Sequence, residues 1–322
     1  MTTNTTPAKA HDSASSTGTK SPAIAGRKRD IRFFSRLSGL ALAVWAIIII
    51  GPLVWVFLSS FKSPEEIFSS PWTIPSKLRW DNWERAWNTA HIGTYMLNSV
   101  VVVAFSTTLT MLLGSMAAYV LSRYQFFGNR AIYYLFVSGL AFPVFLALVP
   151  LFFTVRDIGN GLRNLTGLPF DKWIGIGSTG GLVLVYVSYS LPFTVFFLSA
   201  FFKTLPTSVA EAAMIDGAGH MKLFFRVMMP MAKSGLVSVG IFNVIGQWAQ
   251  YLLPLYLIPG GEEFQERWVL TQGIASISTA AGFKSDWGAL FAAITIAILP
   301  MIIIYALMQR QIQSGLTAGA VK

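Results

Sequence analysis

The sequence predicts an all-α integral membrane protein with six transmembrane helices. Of its 322 residues, 54% are hydrophobic and only 12% are charged, which is about half the charged fraction of a soluble domain. Six long runs contain no Asp, Glu, Lys or Arg, and each is long enough to cross a bilayer as a helix of roughly 20 residues. Helices fit such runs because backbone polar groups in lipid must be satisfied within their own segment. The runs cover residues 37–61, 95–122, 131–155, 173–202, 234–261 and 287–309.

The segments that flank these runs predict the orientation of the helices. Residues 1–30 form a polar tail rich in Thr, Ser and Ala, which we expect to be disordered. The first run is too long for a cleaved signal peptide, and it follows this tail. Most of the 24 Lys and Arg residues fall on the N-terminal side of the predicted membrane. The positive-inside rule therefore predicts cytoplasmic termini and a cytoplasmic loop over residues 203–233, and it explains the net charge of +10 without a nucleic-acid partner.

The composition argues against several kinds of catalytic site. The chain has no cysteine, which excludes disulfides and thiolate chemistry. Its three histidines, His11, His91 and His220, lie far apart on both predicted faces of the membrane, so we expect no metal site. A P-loop motif is absent, and we interpret the glycine-rich segment 175–181 (GIGSTGG) as a flexible connection into the fourth helix. The sequence therefore predicts no catalytic residue and no cofactor bound by this chain.

The predicted cytoplasmic loop carries signals for two short helices. Ser208-Val-Ala-Glu211 has the form of a capping box, which predicts that Ser208 begins the first helix. Gly217 is suited to end it, because a positive φ costs glycine little. Four large apolar side chains then recur at i, i+3, i+4 and i+7, and this spacing predicts a second helix with one apolar face: Met221, Phe224, Phe225 and Met228.

Two interpretations of this apolar face remain open on physical grounds. The face could pack on the ends of the chain's own helices, or it could dock in a groove of another protein, as amphipathic helices do. Asp216 lies in the last predicted turn of the first helix, where the helix dipole disfavours a carboxylate by roughly 0.3–1 kcal/mol. This position favours a partner outside the helix that holds the carboxylate.

The same segment resembles a known family motif. Glu211-Ala212-Ala213, Asp216-Gly217-Ala218 and Val227-Met228-Met229-Pro230 resemble the EAA signature of the permease subunits of bacterial ABC importers. The family pattern is E-A-A-x-x-D-G-A, eight residues, then I-x-L-P, and the spacing matches, with Val227 and Met229 as departures. Further segments are similar to the MalG-like subunit of carbohydrate importers: FKSPEEIFSSPWTIP, NSVVV, AAYVLSRYQFFGNR and GLTAGAVK.

The resemblance implies a MetI/MalG-like permease fold in the bacterial inner membrane, with a transmembrane domain over residues 31–312. It also implies a MalF-like second permease, two ATPase subunits that bind ATP and Mg, and an extracytoplasmic sugar-binding protein. In this family the helix-turn-helix at 206–230 enters a groove on the ATPase, and the tail at 313–322 reaches between the ATPase subunits. The residues implied in ATPase coupling are Glu211, Ala212, Ala213, Asp216, Gly217, Met221, Phe224, Phe225, Met228 and Pro230.

Candidates for a sugar path come from side chains that combine aromatic faces with hydrogen-bonding groups. The alternative for each is ordinary helix packing, in which small and polar residues join membrane helices. Family members often carry Trp-Asn where this chain has Trp248-Ala249, a further departure. The candidates are Asn243, Gln247, Trp248, Gln250 and Tyr251 in the fifth run, and Tyr186, Ser188, Tyr189 and Ser190 in the fourth. Prolines inside the runs predict kinks: Pro52, Pro143, Pro150, Pro192, Pro254 and Pro300.

The main alternative function is an ion-coupled secondary transporter or other membrane carrier. Such carriers usually keep an ionisable residue inside the membrane, and none of the six runs contains one. The loop at 262–286 mixes charged and amide side chains, and in the resembled family it faces the binding protein. We therefore predict that this loop, rather than the Trp-rich loop at 62–94, decides how the binding protein docks.

Overall fold

The computed structural model describes residues 23–284 and 286–320. Within these ranges the chain forms helices and no strands, which confirms the all-α class. The N-terminal helices are α1 (Ala23–Ser59), α2 (Pro64–Ser69), α3 (Asp81–Glu84) with a π-helical continuation (Arg85–Thr89), α4 (Ile92–Arg123), α5 (Asn129–Ala141), α6 (Val144–Thr166), α7 (Phe170–Trp173) and α8 (Thr179–Thr204). The chain divides after Val54, inside α1, into two compact units.

The second half of the chain contains shorter helices before its last long one. They are α9 (Thr207–Ile215), α10 (His220–Leu223) with a π-helical continuation (Phe224–Met228), α11 (Met229–Met231), α12 (Lys233–Trp248), α13 (Leu252–Leu257), α14 (Glu262–Gln265), α15 (Leu270–Lys284) and α16 (Trp287–Ala320). α16 therefore extends through most of the predicted tail at 313–322, whose last two residues lie outside the described ranges. Likewise α1 begins inside the predicted N-terminal tail, and residues 1–22 lie outside the described ranges.

Five helices of the described chain are long and apolar enough to cross a membrane. They comprise Leu37–Ser59 of α1, the whole of α4, α6 and α8, and Trp287–Gln311 of α16. A sixth crossing would need the bent pair His220–Met231 and Lys233–Trp248, whose axes meet at 80°. The structure thus confirms a helical protein with five candidate spans, and the sixth span stays a prediction.

The third predicted span is displaced along the chain. The run 131–155 is divided between α5 and α6, because Phe142 and Pro143 leave the helical conformation and Pro143 precedes the first turn of α6. Proline lacks the backbone N–H that would continue the helix. The candidate span is Val144–Thr166, and it contains the exposed ion pair between Arg156 and Asp157. The prediction of a charge-free third span is therefore wrong.

The fifth predicted span is also interrupted. α12 ends at Trp248, and residues 249–251 connect it to the six-residue α13. The run 234–261 therefore does not form one continuous helix. By contrast, four of the predicted kink prolines lie inside long helices: Pro52, Pro150, Pro192 and Pro300.

The core of the unit that begins at Trp55 is built around the pair α4 and α8. Their contact surfaces carry small residues, and a Cβ added to Gly114 would lie 2.5 Å from Thr194 Cγ2. Hydroxyl side chains on both helices are fully buried, including Ser106, Thr110 and Ser199. Small residues let membrane helices approach closely, and hydroxyl groups add hydrogen bonds between them. This close pair supports the two regions described next, the loop after α8 and the cavity beside α12.

Candidate functional site: a coupling loop and a membrane cavity

The segment 206–230, here called the coupling loop, folds as two short helices around a glycine turn. Gly217 has a φ of +79°, which confirms the predicted glycine turn. The Ala218 N–H donates to the carbonyl of Ala213 at 2.9 Å, and the Asp216 N–H donates to Ala212 at 3.0 Å. These bonds satisfy carbonyls that the end of a helix leaves without partners.

The start of the first helix differs from the prediction. α9 begins at Thr207, with Pro206 in an extended conformation before it and no side-chain cap. Ser208 therefore lies inside the first turn, and the predicted capping box with Glu211 is wrong. The Pro206 ring fixes a backbone φ that suits the residue preceding a helix, so the start of α9 does not depend on a hydroxyl cap.

The predicted apolar face is split between the interior and the surface. Phe224 and Met228 are buried, with 3% and 0% of their surface exposed, whereas Met221 and Phe225 are 60% and 42% exposed. A π-helical turn covers Phe224–Met228, so the regular spacing of an α-helix does not hold within this segment. Phe224 and Met228 pack with Tyr119 of α4 in the chain's own core. Phe224 and Met228 were predicted to contact the ATPase, but they are core residues of this chain.

The other coupling candidates lie at the surface of the loop. Ala213 is half-buried, and the following are exposed: Glu211, Ala212, Asp216, Gly217 and Pro230. The exposed set stands on α9, on its glycine turn and at the end of the second helix. These exposed side chains are therefore accessible at the surface of the described chain.

Two contacts that the sequence did not predict hold the loop against α4. The Tyr124 hydroxyl lies 2.8 Å from His220 Nδ1, and Arg123 Nη2 donates to the carbonyl of Leu205 at 2.5 Å. An apolar cavity of about 420 Å³ adjoins this contact, and its walls include Tyr119 and Met221. No sequence signal marks these residues as neighbours, because Tyr124 and His220 are separated by 96 positions.

A second cavity, here called the central cavity, lies between α5, α8 and α12. Its volume is about 300 Å³, and its polar walls are Tyr189, Ser190, Asn243 and Gln247. Four of the predicted sugar-path candidates thus lie together at one place. Aromatic walls complete the cavity: Phe142, Phe193 and Phe242.

Hydrogen bonds fix the two amide side chains of the central cavity. Gln247 Oε1 accepts from Ser106 Oγ at 2.6 Å and from Thr107 Oγ1 at 2.9 Å. Gln247 Nε2 donates to Ser190 Oγ at 2.9 Å, and Asn243 Nδ2 donates to Thr194 Oγ1 at 2.8 Å. Buried amides that are satisfied in this way orient a polar wall and also join the helices.

Tyr189 has a different role in the same wall. Its side chain is 46% exposed, and among the described residues it makes no hydrogen bond. Its hydroxyl is therefore available to a ligand, whereas the hydrogen-bonding groups of Gln247 are largely used within the protein.

The remaining sugar-path candidates lie elsewhere. Tyr186 is 2% exposed and sits in an apolar core with Leu253. Trp248 Nε1 donates to the Ala297 carbonyl of α16 at 3.3 Å. Gln250 and Tyr251 stand in the break after α12, and Ser188 Oγ bonds to the carbonyl of its own helix at Leu184. The structure does not bring these five candidates, Tyr186, Ser188, Trp248, Gln250 and Tyr251, to the central cavity.

The segment 258–272 after α13, which includes α14 and the first turn of α15, is tied to several helices. Asn98 Nδ2 donates to the carbonyls of Glu266 at 2.7 Å and of Trp268 at 2.9 Å. Arg267 Nη1 donates to the Gly177 carbonyl at 2.9 Å, and Thr271 Oγ1 donates to the Gln250 carbonyl at 2.7 Å. The loop is therefore positioned by α4, by the start of α8 and by the break after α12.

The glycine-rich segment 175–181 is a packed helix start rather than a flexible connection. Ser178 Oγ accepts from the Gly181 N–H at 2.9 Å and caps α8. A Cβ on Gly175 or Gly180 would collide with the carbonyl of Asp171 or Trp173. Glycine is needed here because the α7 backbone approaches so closely, so the predicted flexibility is wrong.

Comparisons with known proteins agree with the motif and the helical architecture. The family model described as "Binding-protein-dependent transport system inner membrane component" matches residues 110–317. The chain is 46% identical over 288 residues to the diacetylchitobiose uptake system permease protein NgcG of Streptomyces coelicolor, covering 89% of each protein. It is 30% identical to the trehalose transport system permease protein SugB of Mycobacterium tuberculosis, covering 86% of this chain and 97% of that protein.

A solved structure shares the fold. The crystal structure of a bacterial ABC transporter involved in the import of the acidic polysaccharide alginate contains a chain that superposes with a TM-score of 0.71 at 20% identity. The superposition covers 88% of this chain and 97% of that chain. With the coupling-loop motif, the family match and the shared fold in agreement, the chain belongs to the family of binding-protein-dependent transport system inner membrane components, as its resemblance to carbohydrate-uptake permeases predicted.

Proposed function

We propose that the chain is a permease subunit of an ATP-driven importer and forms half of a translocation pathway for a carbohydrate. The observation that carries this proposal is the 46% identity to a diacetylchitobiose uptake permease along 89% of the chain. A trehalose permease and a melibiose/raffinose/stachyose permease match along similar lengths. Di- and oligosaccharides are the substrate class that these relatives share.

The proposed topology has six crossings and two cytoplasmic termini. The bent pair of α10–α11 with α12 would supply the fifth crossing, with its first arm lying along the membrane surface. The distribution of Lys and Arg supports this orientation, and the coupling loop would then face the cytoplasm. The MalF-like permease, the two ATPases and the sugar-binding protein complete the proposed assembly, in the bacterial inner membrane.

In this proposal the chain is not catalytic, and the coupling loop receives the movement of a partner ATPase that holds ATP and Mg. The exposed side chains of Glu211, Ala212, Met221 and Phe225 support a docking role, because they combine apolar groups with a charged one. The buried pair Phe224 and Met228 would transmit the movement to α4 and α8, since both side chains pack in one cluster with those helices.

The central cavity is the proposed contact point for the sugar within the membrane. Its hydrogen-bonding side chains carry no formal charge, and its aromatic walls suit the apolar faces of sugar rings. Pockets for small ligands combine such apolar walls with a few positioned polar groups. Tyr189 is the side chain with a hydroxyl still available to a sugar.

The experiment that tests the proposal compares carbohydrate uptake with complex assembly. Cells lacking the subunit should lose accumulation of a radiolabelled disaccharide such as diacetylchitobiose, and the wild-type chain should restore it. Glu211→Lys and Gly217→Pro should insert normally in the membrane yet abolish uptake, because the altered turn no longer docks on the ATPase. Glu84→Lys, a charge reversal on the exposed surface of α3, serves as the control and should transport normally. Normal uptake by either coupling-loop variant in a fully assembled complex would contradict the coupling role.

A further inference from the structure

A third cavity, here called the side cavity, lies apart from the regions already described. It has a volume of about 290 Å³ and is lined by the π-helical end of α3, the start of α4, α14, α15 and the start of α16 with the residue before it. It shares no lining residue with the central cavity or with the cavity at the coupling loop. Its polar side chains therefore have no role in the proposed coupling or in the central path.

The two residues with permanent charges in the wall of the side cavity, Arg85 and Asp286, are paired with each other. Arg85 donates to both carboxylate oxygens of Asp286, through Nε at 3.0 Å and Nη2 at 3.1 Å, and it also pairs with Asp81. The hydrogen bond from Arg85 lowers the pKa of Asp81 below its ordinary value, so this carboxylate is ionised at neutral pH. Asp286 Oδ1 additionally accepts from the Ala289 N–H at 3.3 Å. Arg85 and Asp286 are thus already used within the protein, so the hydrogen bonds left for a ligand come from the uncharged groups of the wall.

Uncharged groups in the same wall have hydrogen-bonding capacity to spare. Gln265 Nε2 donates to the Tyr95 hydroxyl at 2.9 Å, and this bond orients the amide. Among the described residues, the Gln265 Oε1 atom and the Ser276 hydroxyl have no hydrogen-bond partner. One acceptor and one hydroxyl group are thus available to a polyhydroxylated ligand.

His91 places an imidazole in this wall at a conformational cost. Its φ of +57° is the one left-handed value among the described non-glycine residues, and an L-residue adopts this region only at a conformational cost. Glycine would satisfy the same backbone geometry without that cost. The His91 side chain is exposed, and its ring centre lies 6.5 Å from that of Tyr95. Strained residues of this kind occur often at ligand sites, which indicates that the ring itself has a use.

We propose that the side cavity binds one neutral pyranose ring of the transported carbohydrate, through the His91 ring, the Gln265 amide and the Ser276 hydroxyl. This inference rests on the proposed carbohydrate import. The volume is near the lower end of the roughly 300–1,000 Å³ of small-molecule pockets, so the site holds a single ring rather than an oligosaccharide. An aromatic face with adjacent uncharged hydrogen-bonding groups suits the two kinds of surface that a sugar ring presents.

The site can be tested by photolabelling the complete purified importer in lipid nanodiscs. A diazirine derivative of N-acetylglucosamine is irradiated with the complex, and labelled peptides are identified by mass spectrometry. We expect labelling of peptides that contain His91, Tyr95 or Gln265, and competition by excess unmodified sugar. Wild-type complex without competable label on these peptides would overturn the proposal.

Two variants and a matched control make the test specific. Ser276→Phe fills the cavity and should lower the labelling at least tenfold, whereas Ser278→Phe, exposed on the same helix but outside the cavity wall, should stay within twofold of wild type. His91→Gly relieves the positive φ and removes the ring, so it should lower labelling severalfold without lowering the thermal unfolding temperature. Wild-type labelling in both cavity variants would also overturn the proposal.

A parallel uptake assay in cells that express the same importer tests the proposed function separately from the sugar site. A wild-type importer that accumulates labelled diacetylchitobiose but shows no competable label at the side cavity would refute the site alone. A wild-type complex that takes up none of the carbohydrates of its relatives would refute the proposed function itself.

Discussion

Replacing Gln247 by leucine should weaken the packing between α4, α8 and α12. Gln247 is 3% exposed and makes three side-chain hydrogen bonds, to Ser106, Thr107 and Ser190. Hydrogen bonds between membrane helices average about 0.6 kcal/mol, so their loss should lower the free energy of unfolding by about 2 kcal/mol. That difference corresponds to about a 30-fold larger unfolded fraction.

The assay is denaturant unfolding of the subunit in lipid bicelles, with the free energy taken from the midpoint and slope. Gln250→Leu is the matched control, because the Gln250 side chain makes no hydrogen bond among the described residues and only its backbone carbonyl is used. We expect the control to lie within about 0.5 kcal/mol of wild type. If Gln247→Leu is as stable as Gln250→Leu, the three hydrogen bonds of Gln247 do not stabilise the packing of α4, α8 and α12.

A substitution at Tyr189 should affect transport but not stability. Tyr189→Phe removes a hydroxyl that makes no hydrogen bond among the described residues, so it should leave the free energy of unfolding unchanged. Transport should nevertheless fall severalfold at saturating binding protein, because a polar contact to the passing sugar is lost. Unchanged transport would show that the central cavity does not contact the sugar through this side chain.

Three further outcomes are expected. Tyr124→Phe should reduce binding-protein-stimulated ATP hydrolysis severalfold with normal assembly, because the coupling loop loses a bond of about 1 kcal/mol; unaltered stimulation would contradict this. Reversing the charges of the exposed Glu262, Glu263 and Glu266 should raise the apparent KM for sugar-loaded binding protein at low salt. Charges at the edge of an interface act mainly by speeding the encounter of the two proteins. A KM that does not depend on salt would argue against docking at this segment. Removing residues 313–322 should lower transport-coupled ATP hydrolysis while the subunit stays in the membrane, and full stimulation would refute the tail contact.

Local chemistry made part of this structure predictable. The charge-free runs located the long helices, since crossing lipid requires apolar side chains over the whole span. The turn at Gly217 followed from the left-handed conformation that glycine adopts without strain. Tyr189, Asn243 and Gln247 came from a compositional argument about sugars and now share one cavity, although that argument did not separate them from Trp248 or Tyr251.

The failures come from features that hydrophobicity does not encode. Pro143 interrupts a run that is apolar on both sides, and composition alone does not distinguish a kinked helix from two helices. A π-helical turn covers Phe224–Met228, and a count based on 3.6 residues per turn placed two buried and two exposed side chains on one face. The side cavity joins residues as distant as Arg85 and Asp286, and only the tertiary fold brings them together.

The sharp bend between α11 and α12 sets the second helix of the coupling loop nearly perpendicular to α12. The arm His220–Met231 meets Lys233–Trp248 at 80°, and twelve helical residues span about 18 Å. A partner that presses on the His220 end parallel to the α12 axis would act nearly at right angles to the arm and would turn it about Ala232. For an arm of that length, a displacement of about 3 Å would turn it by about 10°. Ala232 is fully buried among neighbouring side chains. A rotation of the arm about Ala232 would therefore displace those side chains as well, and a small movement at the surface would tilt α12.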